Sequence, residues 1–187
     1  MKKLLLVVDM QNDFITGPLG NEDCKNTVAP IKDLIQNEKW DTIRFTADEH
    51  IRASDEGSRY SRTVEGKTIP VHCVPGTYGF EIVPELNEFC TKPTITKESF
   101  GSFHIGATLQ YDVEHMVWNP YTNIGDEYEI HIVGVCTSIC VLTNVAILRT
   151  EFPAARIIVH ENCTADTTPE KKAAALECMK SILCEVV

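Results

Sequence analysis

The stretch GVCTSICVLTNVAILR, Gly134 to Arg149, carries two cysteines four residues apart, Cys136 and Cys140, directly after the apolar run EIHIVG. A run of that kind followed by a helical pattern puts Cys140 in the first turn of a helix that leaves a buried strand. Two other polar residues stand at the same kind of junction: Asp9 after KLLLVV and Lys97 after the short run around Ile95. Taken singly, each has a plain structural reading: Asp9 caps a loop, Lys97 is a solvated charge at a strand end, and Cys140 packs inward. Taken together they describe chemistry. A thiol at a helix N-terminus beside an ammonium group has its anion stabilised by both, so the sequence predicts a Cys140 pKa below the free value of about 8.5 and names Cys140 as the nucleophile.

The elements that must position these residues are legible as short apolar runs alternating with amphipathic ones, the pattern of βαβ units around a parallel sheet. Strands are predicted at Lys3 to Val8, Trp40 to Phe45, Thr94 to Thr96, Glu129 to Val133 and Arg156 to His160, with an edge strand at Glu185 to Val187. The first strand lacks polar alternation, which implies that both its faces are covered. Helices are predicted from about Asp23 to Gln36, from Ile139 to Thr150, and from Pro169, as an N1 proline after Thr168, to about Leu183. The expectation is a three-layer αβα, Rossmann-like domain over residues 1–187, with a mainly parallel sheet of five or six strands. In such sheets ligands bind outside the carboxyl ends of the strands, so Asp9, Lys97 and Cys140 should converge on one crevice. Thr46 to Gly79 reads as a long functional loop or a small excursion, and Tyr111 to Asp126 as an irregular segment covering the core or a distorted helix.

Composition excludes several classes. A chain of 187 residues that is 43% hydrophobic can bury its own core, and a net charge of -10 argues against gripping nucleic acid phosphates or anionic lipid. No apolar run reaches the roughly 20 residues of a spanning helix, and MKKLLLVVDM is too short in apolar length for a signal peptide, so a cytoplasmic location is expected. Eight cysteines in a chain with its own core and no export signal are expected to be mostly reduced. Cys163, Cys178 and Cys184 should be packed as small hydrophobes. The expected partners are a small amide substrate and further copies of the chain in a homo-oligomer, with neither nucleic acid nor membrane.

VVDMQNDF, TKESFGSF and GVCTSICV resemble, in order and spacing, the three signature segments of the isochorismatase-like cysteine hydrolases. The resemblance covers nearly the whole chain. It implies a catalytic triad of Asp9, Lys97 and Cys140, a cis peptide between Val135 and Cys136, and an oxyanion hole made by the backbone N–H groups of Cys136 and Cys140. On that reading Cys140 attacks and Cys136 contributes only its backbone.

A second constellation lies in TADEHIRASDEGSRYSRTVEGKTIPVHCVPGTYG, where Asp48 and His50 bracket one residue and His72 follows downstream. A carboxylate and two imidazoles suit a divalent metal site with open water positions, although such residues in a polar loop are also commonly just solvated. The pattern D-x-H followed by H-C-V-x-G-T is similar to that of the nicotinamidase branch of the family. The resemblance implies metal ligation by Asp48, His50 and His72, and by Glu65 in members that add a carboxylate seven residues before the second histidine. It implies one divalent ion, zinc first and iron or manganese as alternatives, and aromatic walls for a flat ring from Phe14 and Phe100. Cys73 is assigned to packing, since neighbours in an extended segment point to opposite sides.

The activity so implied is hydrolysis of nicotinamide to nicotinate and ammonia through a thioester, a step of pyridine nucleotide salvage. Another amide or carbamoyl hydrolase of the same family and a non-catalytic member remain alternatives. Two departures from the family pattern stand out: Asn144, where relatives often carry a small residue, and the stretch HMVWNPYTNIGDEYE.

Overall fold

The computed structural model describes residues 1–51, 58–113 and 128–187, the side chains at 112 and 113 apart. Its strands are β1 (Lys2–Val8), β2 (Thr42–Asp48), β3 (Ile95–Lys97), β4 (Tyr128–Val135), β5 (Arg156–Ala165) and β6 (Glu185–Val186). The helices are α1 (Asn12–Ile15), α2 (Glu22–Asn37), α3 (Val64–Thr68), α4 (Pro84–Asn87), α5 (Ile105–Val113), α6 (Leu142–Glu151) and α7 (Pro169–Ser181). The six strands form one sheet in the order β3-β2-β1-β4-β5-β6, and every pairing is parallel.

The unbroken apolar run of β1 has the physical consequence expected of it. Leu4, Leu6 and Val8 enter one buried cluster with Ile105, Leu109, Val145, Leu148 and Met179, while Leu5 and Val7 enter another with Phe14, Cys24, Ile31 and Leu86. Alternate side chains of one strand therefore fill two cores, one under α5, α6 and α7 and one under α1, α2 and α4, which gives the three layers. α2 starts at an Asn21 cap whose side chain accepts from the Cys24 N–H at 2.8 Å, and α7 starts at Thr168 with Pro169 in its first turn.

Two strand boundaries differ from expectation, each for a visible reason, and helix α5 is additional. β2 begins later and runs to Asp48, because Trp40 is held at the end of α2, its indole N–H donating to the Leu34 carbonyl at 3.3 Å. β5 continues past His160 to Ala165: Ile132 pairs with Val159 and Gly134 with Thr164, so two steps on β4 face five on β5, and the polar run after His160 is a bulge inside the strand. Helix α5 is not legible in the sequence; it starts at Ile105 and reaches only the first three positions, 111–113, of the region expected to be irregular or a distorted helix, whose remainder from 114 to 126 lies outside the described residues. The expectation for Cys178 is corrected as well. It is exposed on α7, whose buried positions are Ala175, Leu176 and Met179, whereas Cys163 and Cys184 are buried. All eight cysteines are free thiols. No helix among the described residues is long and apolar enough to cross a membrane.

The chain runs outward from β1 through β2 to β3, then crosses back to place β4 on the other side of β1. The switch point therefore falls between β1 and β4, where open α/β sheets leave a crevice at the strands' carboxyl ends. Asp9 follows β1, Asp48 ends β2, Lys97 ends β3, and Cys136 to Cys140 follow β4.

Candidate active site

Asp9 leaves β1 in the left-handed region, φ 49°, a conformation uncommon outside glycine. Its backbone N–H donates to the Thr46 hydroxyl at 3.1 Å, and that hydroxyl donates to Asp9 Oδ1 at 2.6 Å. The other oxygen, Oδ2, is 2.7 Å from Lys97 Nζ. The same ammonium lies 3.6 Å from Cys140 Sγ and 3.3 Å from Asp48 Oδ1. The three residues predicted to converge do so, and all are buried. Thr46 was missed, because the strand pattern was read as ending at Phe45, one residue short of it.

The nucleophile segment is shaped by its backbone. Gly134 has φ 117°, and a β-carbon there would collide with the Val8 peptide, so only glycine lets β4 pass this close to β1. The Val135–Cys136 peptide is cis. A π-type turn, Thr137–Val141, then carries Cys140 into α6.

The expected low thiol pKa is overturned. Burial pushes Cys140 well above the ordinary cysteine value; Lys97 pulls it down, but Asp9 and Asp48 push it up. A helix end and one ammonium do not offset desolvation together with two carboxylates. At Lys97 burial alone would favour the neutral amine, but Asp9, Cys140 and Asp48 outweigh it and hold the ammonium well above its ordinary range. Burial raises Asp9 against the pull of Lys97, which makes it a stronger base than a solvated aspartate. The resting site is a neutral thiol beside a basic carboxylate and a fixed cation.

Next to it, Asp48, His50, Glu65 and His72 bring four ligand atoms within 4.8 Å of one another. Asp48 Oδ2 is 3.2 Å from His50 Nε2 and 3.3 Å from His72 Nε2, and Glu65 Oε1 is 3.3 Å and 3.7 Å from the same two nitrogens. Zinc–ligand bonds of about 2.0–2.1 Å in a tetrahedron separate neighbouring donors by about 3.4 Å, close to these four contacts, so the donor set suits a divalent ion. The outer nitrogen of His72, Nδ1, is 2.8 Å from the Pro70 carbonyl, which fixes that N–H outward and turns Nε2 toward the other donors. Burial would lower the His50 pKa, but hydrogen bonds and charge from Asp48 and Glu65 lift it to about 9. Burial opposes Asp48, yet the two imidazoles and Lys97 hold it well below the usual carboxylate range. Both shifts mark a pocket that requires positive charge. Cys73 is buried outside this donor set, as expected.

A cavity of about 240 Å³ joins the two groups, its lining including Cys140 together with Asp48, Glu65 and His72. Phe14 and Phe100 both border it, Phe14 standing edge-on to His72 with ring centroids 5.3 Å apart. Gln11 is a further residue missed in the sequence. It is buried, and its amide donates to the Asp48 carbonyl at 2.9 Å and accepts from the Asp48 N–H at 2.7 Å. The run QND at positions 11–13, one residue beyond Asp9, was the available signal.

Residues 3–187 match the isochorismatase domain family. The chain belongs to that family. It is 31% identical to the nicotinamidase of Saccharomyces cerevisiae over 172 residues, 74% of this chain and 77% of the yeast protein. It is 27% identical to the nicotinamidase/pyrazinamidase of Mycobacterium tuberculosis over 188 residues, 99% and 98% of the two chains. Among solved structures, the nicotinamidase/pyrazinamidase of Bacillus subtilis aligns over 100% of both chains with a TM-score of 0.73 at 25% identity. The pyrazinamidase of Pyrococcus horikoshii in complex with zinc shares the fold, with a TM-score of 0.73 at 23% identity over 100% and 99% of the chains.

Proposed function

We propose that this hydrolase of amide carbon–nitrogen bonds acts on nicotinamide, releasing nicotinate and ammonia through a thioester on Cys140. The observation that carries the reading is the single contact chain Cys140–Lys97–Asp48, which puts a nucleophile and a donor set for a divalent ion on the wall of one cavity. A pyridine carboxamide has one group for each: an electrophilic carbon for the sulfur and a ring nitrogen for the ion. A divalent ion held by Asp48, His50, His72 and Glu65, zinc first, would supply a Lewis acid suited to that nitrogen's lone pair.

The chain's own residues do the rest. Asp9 takes the thiol proton as the sulfur adds to the carboxamide carbon. Lys97 stays an ammonium throughout and keeps Asp9 Oδ2 facing the reaction. The backbone N–H groups of Cys136 and Cys140 donate to the oxygen of the tetrahedral adduct. Asp9 then returns the proton to the departing ammonia, the C–N bond breaks and the thioester forms. Asp9 next draws a proton from water as the hydroxyl adds to the thioester; the C–S bond then breaks, Asp9 returns that proton to the sulfur, and the acid leaves as nicotinate, its own proton passing to solvent. Phe14 and Phe100 bound the ring and leave little room for bulk water beside it.

Ammonia release from nicotinamide, pyrazinamide and acetamide tests the reading, together with metal analysis of the purified protein. Nicotinamide and pyrazinamide should be turned over far faster than acetamide. Chelation should suppress nicotinamide turnover while leaving alkylation of Cys140 by iodoacetamide nearly intact. A metal-free enzyme with full activity, or a preference for acetamide, overturns it.

A further inference from the structure

Asn144 is fully buried on α6, four residues after Cys140 and beside Val145, which faces the apolar core. An amide in such a place is costly unless its polar atoms are paired. Here they are: Asn144 Nδ2 donates to the Cys140 carbonyl at 2.8 Å and to the Phe100 carbonyl at 3.3 Å, and Oδ1 accepts from the Ser102 N–H at 3.1 Å. The Ser102 N–H can only donate, so the amide oxygen must face it, which fixes the amide's orientation. One side chain thus joins the nucleophile's own turn to the segment that follows Lys97 at the end of β3.

That segment is pressed onto α6 from a second side. A β-carbon at Gly101 would stand 2.6 Å from Thr143 Cγ2 and 2.8 Å from Ile147 Cδ1, closer than side chains pack. Phe100, directly before Gly101 and itself one end of the Asn144 bridge, is 37% exposed. Core packing therefore does not hold its ring, and the ring's position is set by its backbone, whose carbonyl Asn144 grips.

We propose that Asn144 is a positioning residue for substrate selection: its amide sets the gap between the Phe100 wall and the Cys140 sulfur, and so favours flat aromatic amides over small aliphatic ones. The proposal rests on Cys140 as the nucleophile and Phe100 as a wall of its pocket.

The test uses two electrophiles that differ only in the need for a wall, iodoacetamide and its N-phenyl derivative, reacting with Cys140 in the wild type, Asn144→Ala and Gly101→Ala, each checked for folding by circular dichroism. Wild type should prefer the N-phenyl reagent. Asn144→Ala should lose about tenfold of that preference, the size of one or two lost buried hydrogen bonds, with iodoacetamide itself changed by less than about threefold. Gly101→Ala, which lifts the same segment without removing a hydrogen bond, should shift the preference the same way and decides the matter should Asn144→Ala fail to fold. In turnover, Asn144→Ala should raise KM for nicotinamide about tenfold while kcat stays within about threefold. Equal slowing of both electrophiles, an unchanged preference, or a wild type with no preference overturns the proposal. Absence of nicotinamide hydrolysis in the wild type would sink the proposed function alone, since the alkylation comparison still decides the role of Asn144.

Discussion

Cys136 and Cys140 bring the same thiol into one turn but into different surroundings. Cys136 is hydrogen-bonded to the Cys24 thiol, and that contact, followed by burial, pushes its pKa far up. Cys140 is also raised, but its thiol faces Asp9 and lies 3.6 Å from Lys97, so a base and a fixed cation are already in place. Position within the turn, not thiol chemistry, separates their roles. Cys140→Ala should lower kcat for amide hydrolysis by at least about 10³-fold, whereas Cys136→Ala should stay within about fivefold because only its backbone is used. Comparable loss in two folded variants, measured by ammonia release, would show that the roles are wrongly divided.

At the scale of elements, each polar group of the site sits where a strand stops, and the strand ends are tied to one another by side chains. Gln11 is the clearest tie. Its amide brackets the Asp48 peptide at 2.9 Å and 2.7 Å and also donates to the Phe80 carbonyl at 2.9 Å, so it joins the end of β1 to the end of β2 and to the loop behind His72. Gln11→Ala strands a buried N–H and two carbonyls, and should cost about 2–3 kcal/mol in urea unfolding of the metal-free protein. Because Asp48 then loses its fixed placement, metal affinity should fall about tenfold by direct titration. A stability loss with unchanged affinity would limit Gln11 to supporting the fold.

Across the whole molecule, the sheet carries a second buried polar group away from the catalytic cavity. His131 on β4 and His160 on β5 stack at 5.1 Å between centroids and share a hydrogen bond of 2.8 Å, with Trp40 edge-on to His131. Glu129 faces His131 at 3.3 Å, and Glu38, the residue capping the end of α2, and Lys3 on β1 act on His160. Burial, and then the neighbouring imidazole, lower His160 to about 4, and burial lowers His131 as well. A histidine with a depressed folded pKa stabilises fully above its unfolded value of about 6.5, and that stability drains as pH falls toward 4. Discounted for partial solvent contact, His160 should contribute on the order of 1–2 kcal/mol, or about 2–6 °C in Tm, between pH 7 and pH 4. His160→Gln, which cannot charge, should flatten the acid slope of Tm in calorimetry without altering turnover at pH 7. An unchanged slope would place the acid sensitivity elsewhere.

The alternation of strands and helices, the burial of β1 on both faces and the meeting of Asp9, Lys97 and Cys140 at strand ends were all legible in the amino-acid order, since periodicity and chain order are local properties. The sequence also placed Asp48, His50 and His72, and Glu65 beside them, through spacing and resemblance. Only the tertiary structure decided the thiol's protonation: the Cys140 pKa depends on two carboxylates from other strands and on complete burial, none of which lies within its own segment. The same holds for Thr46, Gln11 and Asn144. Each is an ordinary polar residue in sequence, and each acquires its role from partners brought near by parallel pairing and helix docking, 37 residues away for Thr46 and Gln11 and 42 and 44 for Asn144.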